Sequence, residues 1–240
     1  MSWVGGVDPL ERGAIVITGA SSGIGAAVGH RLACPGRTLV LTGRNADALR
    51  DVVNAARARG ANVDTHTFDL TDAEQVAAFA TSLDRPVFAL VHSAGVAHLG
   101  RVAALGDLEL EHQWQVNVRA PIRLTQALLP RLRDARGTVV FVNSGAGLRA
   151  NAGWGGYAAS KFALRALADA LREEEGGVVR VASVFPGRTA TPMQMSVRRQ
   201  ENGTYEPSAY LTPDAVADAV AGAIEAPASA SVSDVTIRPR

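Results

Sequence analysis

The apolar run AIVIT (residues 14–18) passes without a break into TGASSGIG (18–25), and the reading of this junction decides the fold. AIVIT is short, β-branched and continuously apolar, as a strand covered on both faces must be. Gly19, Gly23 and Gly25 follow at once, and helical periodicity begins at residue 23. Glycine in a turn between a strand and a helix allows a tight bend. It also lets backbone approach a phosphate closely and lets the helix pack against the strand. The helix start adds free N–H groups and a positive dipole end for an anion. A glycine triplet alone serves turns equally well; its place on the first strand–helix crossover makes it a nucleotide-binding turn.

The same alternation continues along the chain. TLVLT (38–42), NVDTHTF (62–68), VFALV (87–91), TVVFVN (138–143), VVRVASV (178–184) and DVTIR (234–238) read as further strands. Helices are predicted over 23–33, 46–59, 72–82, 107–133, 156–175 and 213–225, the fourth with a possible break near Pro121. Strands separated by helices at this spacing form parallel βαβ units. The expected fold is α/β: a Rossmann-like, doubly wound, seven-stranded parallel sheet flanked by helices, as a single domain over 1–240. The polar stretch 187–212, GRTATPMQMSVRRQENGTYEPSAYLT, has little pattern and is expected to be a substrate loop or lid.

Composition narrows the function classes. A formal net charge of +1 with scattered arginines offers no footprint for nucleic acid or for an acidic membrane surface. Cys34 is the only cysteine, which excludes an intrachain disulfide and any multi-cysteine metal site. No apolar run reaches the ~18 residues of a membrane span. The opening MSWVGGVDPLER lacks the layout of a secretion signal, so a cytoplasmic protein is expected. His92, His98 and His112 have no helical ligand spacing, and no metal is expected.

The end of the second strand indicates the nucleotide. There a carboxylate would bind an adenosine ribose 2′-hydroxyl. LTGRN (41–45) instead carries Arg44, with no acid before Asp47, which suits a 2′-phosphate and favours NADP(H) over NAD(H). In DLTD (69–72), Asp69 can accept from an adenine amino group, and Asp72 can cap the next helix.

Tyr157 and Lys161, in YAASK (157–161), share one helical face at i and i+4. Together with TGASSGIG, Asn117 in QVNVRAP, Ser144 in FVNSGAG and PGRTAT (186–191), they resemble the short-chain dehydrogenase/reductase family. Ser144 stands 13 residues before Tyr157, and Asn117 stands 40 before it, in the family's order. The resemblance covers nearly the whole chain and implies hydride exchange between a nicotinamide and a carbonyl or secondary alcohol. Tyr157 is then the general acid/base, Ser144 orients the substrate oxygen, and Lys161 lowers the phenol's pKa. Asn117 holds a water that relays protons from Lys161. The implied cofactor contacts are Gly19, Ser21, Ser22, Gly23, Ile24, Gly25, Arg44, Asp69, Leu70, Ser93, Ala94, Gly95, Tyr157, Lys161, Pro186, Gly187, Thr189 and Thr191. A homodimer or homotetramer built through the helices of 107–133 and 156–175 is also implied.

Two segments depart from the family pattern. HSAG (92–95) replaces NNAG, and Thr189 in PGRTAT replaces an aliphatic residue. Two alternatives stay open: an NAD-dependent alcohol dehydrogenase of the same family, and a catalytically silent dinucleotide-binding sensor. The substrate is expected to be a small carbonyl or alcohol, with its walls in 95–101, 147–154 and 187–212.

Overall fold

The computed structural model describes residues 13–240 of the chain, so MSWVGGVDPLER lies outside the described residues except for its continuation at Gly13. Seven parallel strands form one sheet in the order β3-β2-β1-β4-β5-β6-β7. They are β1 (Ala14–Ile17), β2 (Thr38–Gly43), β3 (Asn62–Thr67), β4 (Val87–His92), β5 (Thr138–Val142), β6 (Arg180–Pro186) and β7 (Asp234–Ile237). The helices are α1 (Gly23–Leu32), α2 (Ala46–Ala58), α3 (Ala73–Ser82), α4 (Asp107–Trp114), α5 (Ala120–Ala135), α6 (Gly155–Glu174), α7 (Pro192–Gln200) and α8 (Pro213–Ile224).

The pleat sends alternate strand residues into two cores. Ile15, Ile17, Leu39, Leu41 and Val91 pack with Val28, Leu49, Val52, Val216 and Val220 of α1, α2 and α8. Val16, Val40, Leu90 and Val139 point the other way, against Phe79, Leu124, Leu128 and Leu164 of α3, α5 and α6. Both faces of the central strands are therefore apolar, which is why the sequence shows runs there rather than alternation. The chain winds outward from β1 in one direction and resumes at β4 in the other. The crevice between their carboxyl ends is where such sheets bind ligands.

The structure corrects the sequence reading in three places. No break occurs at Pro121; α4 passes into a π-helical turn, Gln115–Arg119, and then into α5, so the hydrogen-bond pattern changes just before the proline, which has no N–H to donate. The sixth strand starts at Arg180 rather than 178, because Val178 is exposed in the turn after α6. The stretch 187–212 is not a plain loop: it contains α7, started by Pro192 and capped by the Thr191 hydroxyl, which accepts from Gln194 N. Only Gln194 and Val197 of α7 are buried, so its periodic signal was too thin to read. Among the described residues, no helix is long and apolar enough to cross a membrane.

Candidate active site

The β1–β4 crevice opens into a cleft of ≈ 430 Å³. Its walls include Gly19, Ser21, Ser22, Gly23, Ile24, Arg44, Asp69, Leu70, Ser93, Ala94, Gly95 and Thr191. Gly19 adopts φ +64°, and a side chain there would start 2.8 Å from Ala94 Cα. A side chain on Gly25 would collide with the Gly19 carbonyl, so this glycine serves the packing of α1 on the turn. The crossover thus leaves bare backbone beside a helix start, a cradle shaped for phosphate. Thr18, not singled out by its spacing, ties the two strand ends together. Its Oγ1 donates to Val91 O at 3.3 Å and accepts from Ser93 N and Ala94 N at 3.1 and 3.2 Å.

Arg44 is exposed at the end of β2 and close enough to Asp69 to help hold that carboxyl below its usual range. The larger cause is Thr71, whose N–H and hydroxyl both donate to Asp69 at 2.8 Å. Asp72 caps α3, accepting from Glu74 N and Gln75 N. Asp47 is turned toward Arg50 and is not aimed into the cleft.

Gly25, Tyr157, Lys161, Pro186, Gly187 and Thr189 lie outside the cleft wall. Gly187 N donates to Ile237 O at 2.8 Å, which fastens the end of β6 to β7. Thr189 is buried, and its hydroxyl donates to Gly187 O at 3.0 Å, so a polar residue stands in an aliphatic position without an unmet hydroxyl.

The four polar candidates do not line the cleft themselves; they gather behind Gly95, which does. A side chain built on Gly95 would start 3.2 Å from Asn117 Oδ1 and 3.8 Å from Lys161 Nζ. Asn117 sits in the π turn, a distortion that often marks functional sites. Its amide accepts from Val96 N and donates to Val96 O, both at 2.9 Å, and donates to Ser160 Oγ at 3.0 Å. Lys161 Nζ lies 5.9 Å from the centre of the Tyr157 ring and donates to Val142 O at 3.1 Å. Ser144 Oγ accepts from Ala146 N at 3.1 Å, which leaves its O–H free to donate. Asn143 is a positioning residue that sequence spacing did not single out. Its Oδ1 accepts from Ser144 N at 2.9 Å, and its Nδ2 donates to Lys161 O at 3.1 Å.

Burial governs the protonation of the pair. It pushes the Tyr157 phenol above its ordinary value, while the Ser144 hydroxyl acts in the opposite direction. It also pulls the Lys161 ammonium down to about 8. Desolvation of the phenolate outweighs the lowering by Ser144, and the expected lowering by Lys161 is not among the causes of the shift. Near neutrality the arrangement is a neutral phenol beside an ammonium, as proton donation requires.

His92 takes no part in this chemistry. Its Nε2 pairs with Thr125 Oγ1 at 2.8 Å, its ring stacks on Phe141, and burial pulls its pKa down to about 3. Above pH 6.5 the ring is neutral both folded and unfolded. As pH falls from 6.5 toward 3 the unfolded chain binds the extra proton, so stability drains away. His92→Asn is expected to remove this component. In denaturant titrations the wild-type chain should lose about 3 kcal/mol more than the variant between pH 7 and pH 4. Equal losses in the two chains would show that His92 is not held neutral.

His98 Nε2 and His112 Nδ1 are 3.1 Å apart, a hydrogen-bonded pair of which His112 lines the cleft. Among the described residues, no three His, Cys, Asp or Glu side chains are grouped to hold a metal ion.

Known proteins resemble this chain over most of its length. The short chain dehydrogenase family model matches residues 13–202. Glycine betaine reductase ATRR of Emericella nidulans is 37% identical over an alignment of 241 positions, covering 97% of this chain but 19% of that much longer protein. An alcohol dehydrogenase from the archaeon Thermococcus sibiricus, solved with 5-hydroxy-NADP, is 29% identical with a TM-score of 0.86, covering 95% of this chain and 96% of its own. A metagenomic short-chain oxidoreductase solved with NADP is 31% identical with a TM-score of 0.82, covering 97% and 99%.

Proposed function

This chain belongs to the short-chain dehydrogenase family and is an NAD(P)-dependent oxidoreductase, and from that premise we propose that it exchanges hydride between NADP(H) and a carbonyl or secondary alcohol, with Tyr157 as general acid/base. The observation that carries the reading is the convergence of Ser144, Tyr157 and Lys161 behind Gly95, next to a glycine-walled cleft.

Bound NADP(H) supplies the hydride in reduction and takes it up in oxidation. The residues of this chain handle the proton and the pose. Tyr157 gives its phenolic proton to the substrate oxygen in reduction and removes it in oxidation. Ser144, with one of its two acceptor sites taken by Ala146 N, has its O–H to direct at the same oxygen. Lys161 spends one N–H on Val142 O and keeps two for the phenol side and the nucleotide. Its charge favours the phenolate, while burial sharpens every charge interaction in the pocket. Asn117 fixes the backbone at Val96 and serves the relay of protons from Lys161 toward solvent.

Gly19, Gly23 and the start of α1 would hold the pyrophosphate, and Ser93 to Gly95 would let the nicotinamide side come close. Arg44, with no carboxylate of its own strand end beside it, would receive a 2′-phosphate. Two resembling structures that carry NADP or 5-hydroxy-NADP support the same choice. The assembly we expect is a homodimer or homotetramer through α4, α5 and α6, where Trp114 and Phe162 stand exposed.

The test is a titration with NADPH and NADH, followed by NADPH oxidation against a panel of carbonyl compounds. Arg44→Asp is expected to weaken NADPH about tenfold or more and to leave NADH unchanged or tighter. Equal affinity for both nucleotides, insensitive to Arg44, would remove the case for NADP; a wild-type chain that binds NADPH and reduces nothing would favour the sensor reading.

A further inference from the structure

Residues 96–99 lead away from the cleft wall at Val96 without regular secondary structure, and Gly100 makes an isolated bridge to Trp154. Their backbone bonds alternate in direction. Val96 exchanges two bonds with the Asn117 amide, His98 N donates to Gln113 Oε1 at 3.0 Å, and Gly100 N donates to Gly153 O at 2.8 Å. The odd residues face the opposite way, toward α7. Gln200, its last residue, donates from Nε2 to Ala97 O at 3.0 Å and accepts from Leu99 N at 2.8 Å through Oε1. A residue of a neighbouring parallel strand makes this same pair of bonds, to the carbonyl before and the amide after the residue it faces. The carboxamide of Gln200 thus stands in for a missing strand.

The side chains of Ala97 and Leu99 pack with Trp154 against the buried cluster of Tyr157, Ala146 and Ala158. The walls next to the phenol are therefore held from the far side by α7. A second tie reinforces this end of the helix: Arg188 makes a two-point ion pair with Glu201 at 2.9 and 2.6 Å, and its guanidinium lies 5.4 Å from the Trp154 ring centre.

We infer that Gln200 is a positioning residue for the substrate chamber, clamping α7 to the 97–99 backbone and so setting Ala97 and Leu99 against Tyr157. This rests on the reading that substrate reacts at Tyr157. The clamp spans a sequence separation of about one hundred residues and joins the stretch read as a lid to the same strip that Asn117 holds from the other side. A lid helix seated in this way fixes the width of the chamber, and its release widens it.

Hydrogen exchange and kinetics together decide the inference. Gln200 is exposed, so Gln200→Ala and the same-sized Gln200→Glu are both expected to fold. In Gln200→Ala the Leu99 amide should exchange about tenfold faster, with peptides of the sheet unchanged. Gln200→Glu keeps an acceptor for Leu99 N but sets a carboxylate against Ala97 O. With a carbonyl compound that the wild-type chain reduces, both variants should raise substrate KM by about tenfold. NADPH affinity and kcat should stay within about threefold. Unchanged exchange at Leu99 in Gln200→Ala overturns the clamp. Faster exchange with unchanged substrate KM overturns the positioning role. Failure of the wild-type chain to reduce any carbonyl would count against the enzymatic reading itself, and the exchange result would still decide the clamp.

Discussion

Tyr157→Phe is expected to lower turnover of a carbonyl substrate about a thousandfold while NADPH affinity stays within about twofold. The phenylalanine ring keeps the packing that positions residue 157, including its edge contact with Trp154 at 5.8 Å and its place beside Lys161. Only the hydroxyl is lost, and with it the one group at hand to deliver a proton as charge builds on the substrate oxygen. A positioned acid contributes typically 10²–10⁴-fold. Ser144 cannot substitute, because a serine hydroxyl is a far weaker acid than a phenol and has no cation beside it. Steady-state kinetics and a fluorescence titration with NADPH check both halves. Retention of a tenth of the wild-type rate would remove Tyr157 from the proton step; loss of NADPH binding would mean that the substitution disturbed the cleft.

The clarity of this expectation reflects where the chain is legible as text. AIVIT, VFALV and TVVFV are buried on both faces, so their composition alone marks them as strands, and their order places the crevice. Gly19 is legible as a turn glycine because its positive φ is a local requirement, and its close approach to Ala94 admits no side chain either. Helix α7 escaped because its stability comes from the Thr191 cap, the Glu201 pairs and Gln200, not from an apolar stripe. The π turn at 115–119 escaped for a related reason. Asn117 looks out of place in a helix, but its amide is matched to the Val96 backbone, a partner 21 residues away that no local pattern announces. The roles of Thr18, Asn143 and Gln200 are likewise set by tertiary partners. Local rules make them ordinary polar residues; only the assembled sheet gives each a second contact.

Lys161→Met is expected to move activity and stability in opposite directions. Lys161 is buried, carries its charge at neutral pH, and has Val142 O as its hydrogen-bond acceptor. Its pKa of about 8 instead of 10.5 records the cost of holding that charge away from water. Below pH 8 both folded and unfolded chains bind the proton and the cost is constant. Between pH 8 and 10.5 the unfolded chain binds more of it, so wild-type stability gains as pH rises through that window. Methionine removes the charge, fits the same length of pocket and forfeits one hydrogen bond to a carbonyl. The balance favours the variant by about 2 kcal/mol at pH 7, or roughly 4–8 °C in Tm for a chain of this size. That advantage should shrink as the wild-type lysine deprotonates. Turnover should fall at least about a hundredfold, because the phenolate loses its neighbouring cation and burial then raises the phenol further. Thermal scans at pH 7 and pH 10, with kinetics at pH 7, check the three parts. A variant less stable than wild type at pH 7 would show that Lys161 is a structural ion, and the charge would then have to be offset by contacts other than Val142 O.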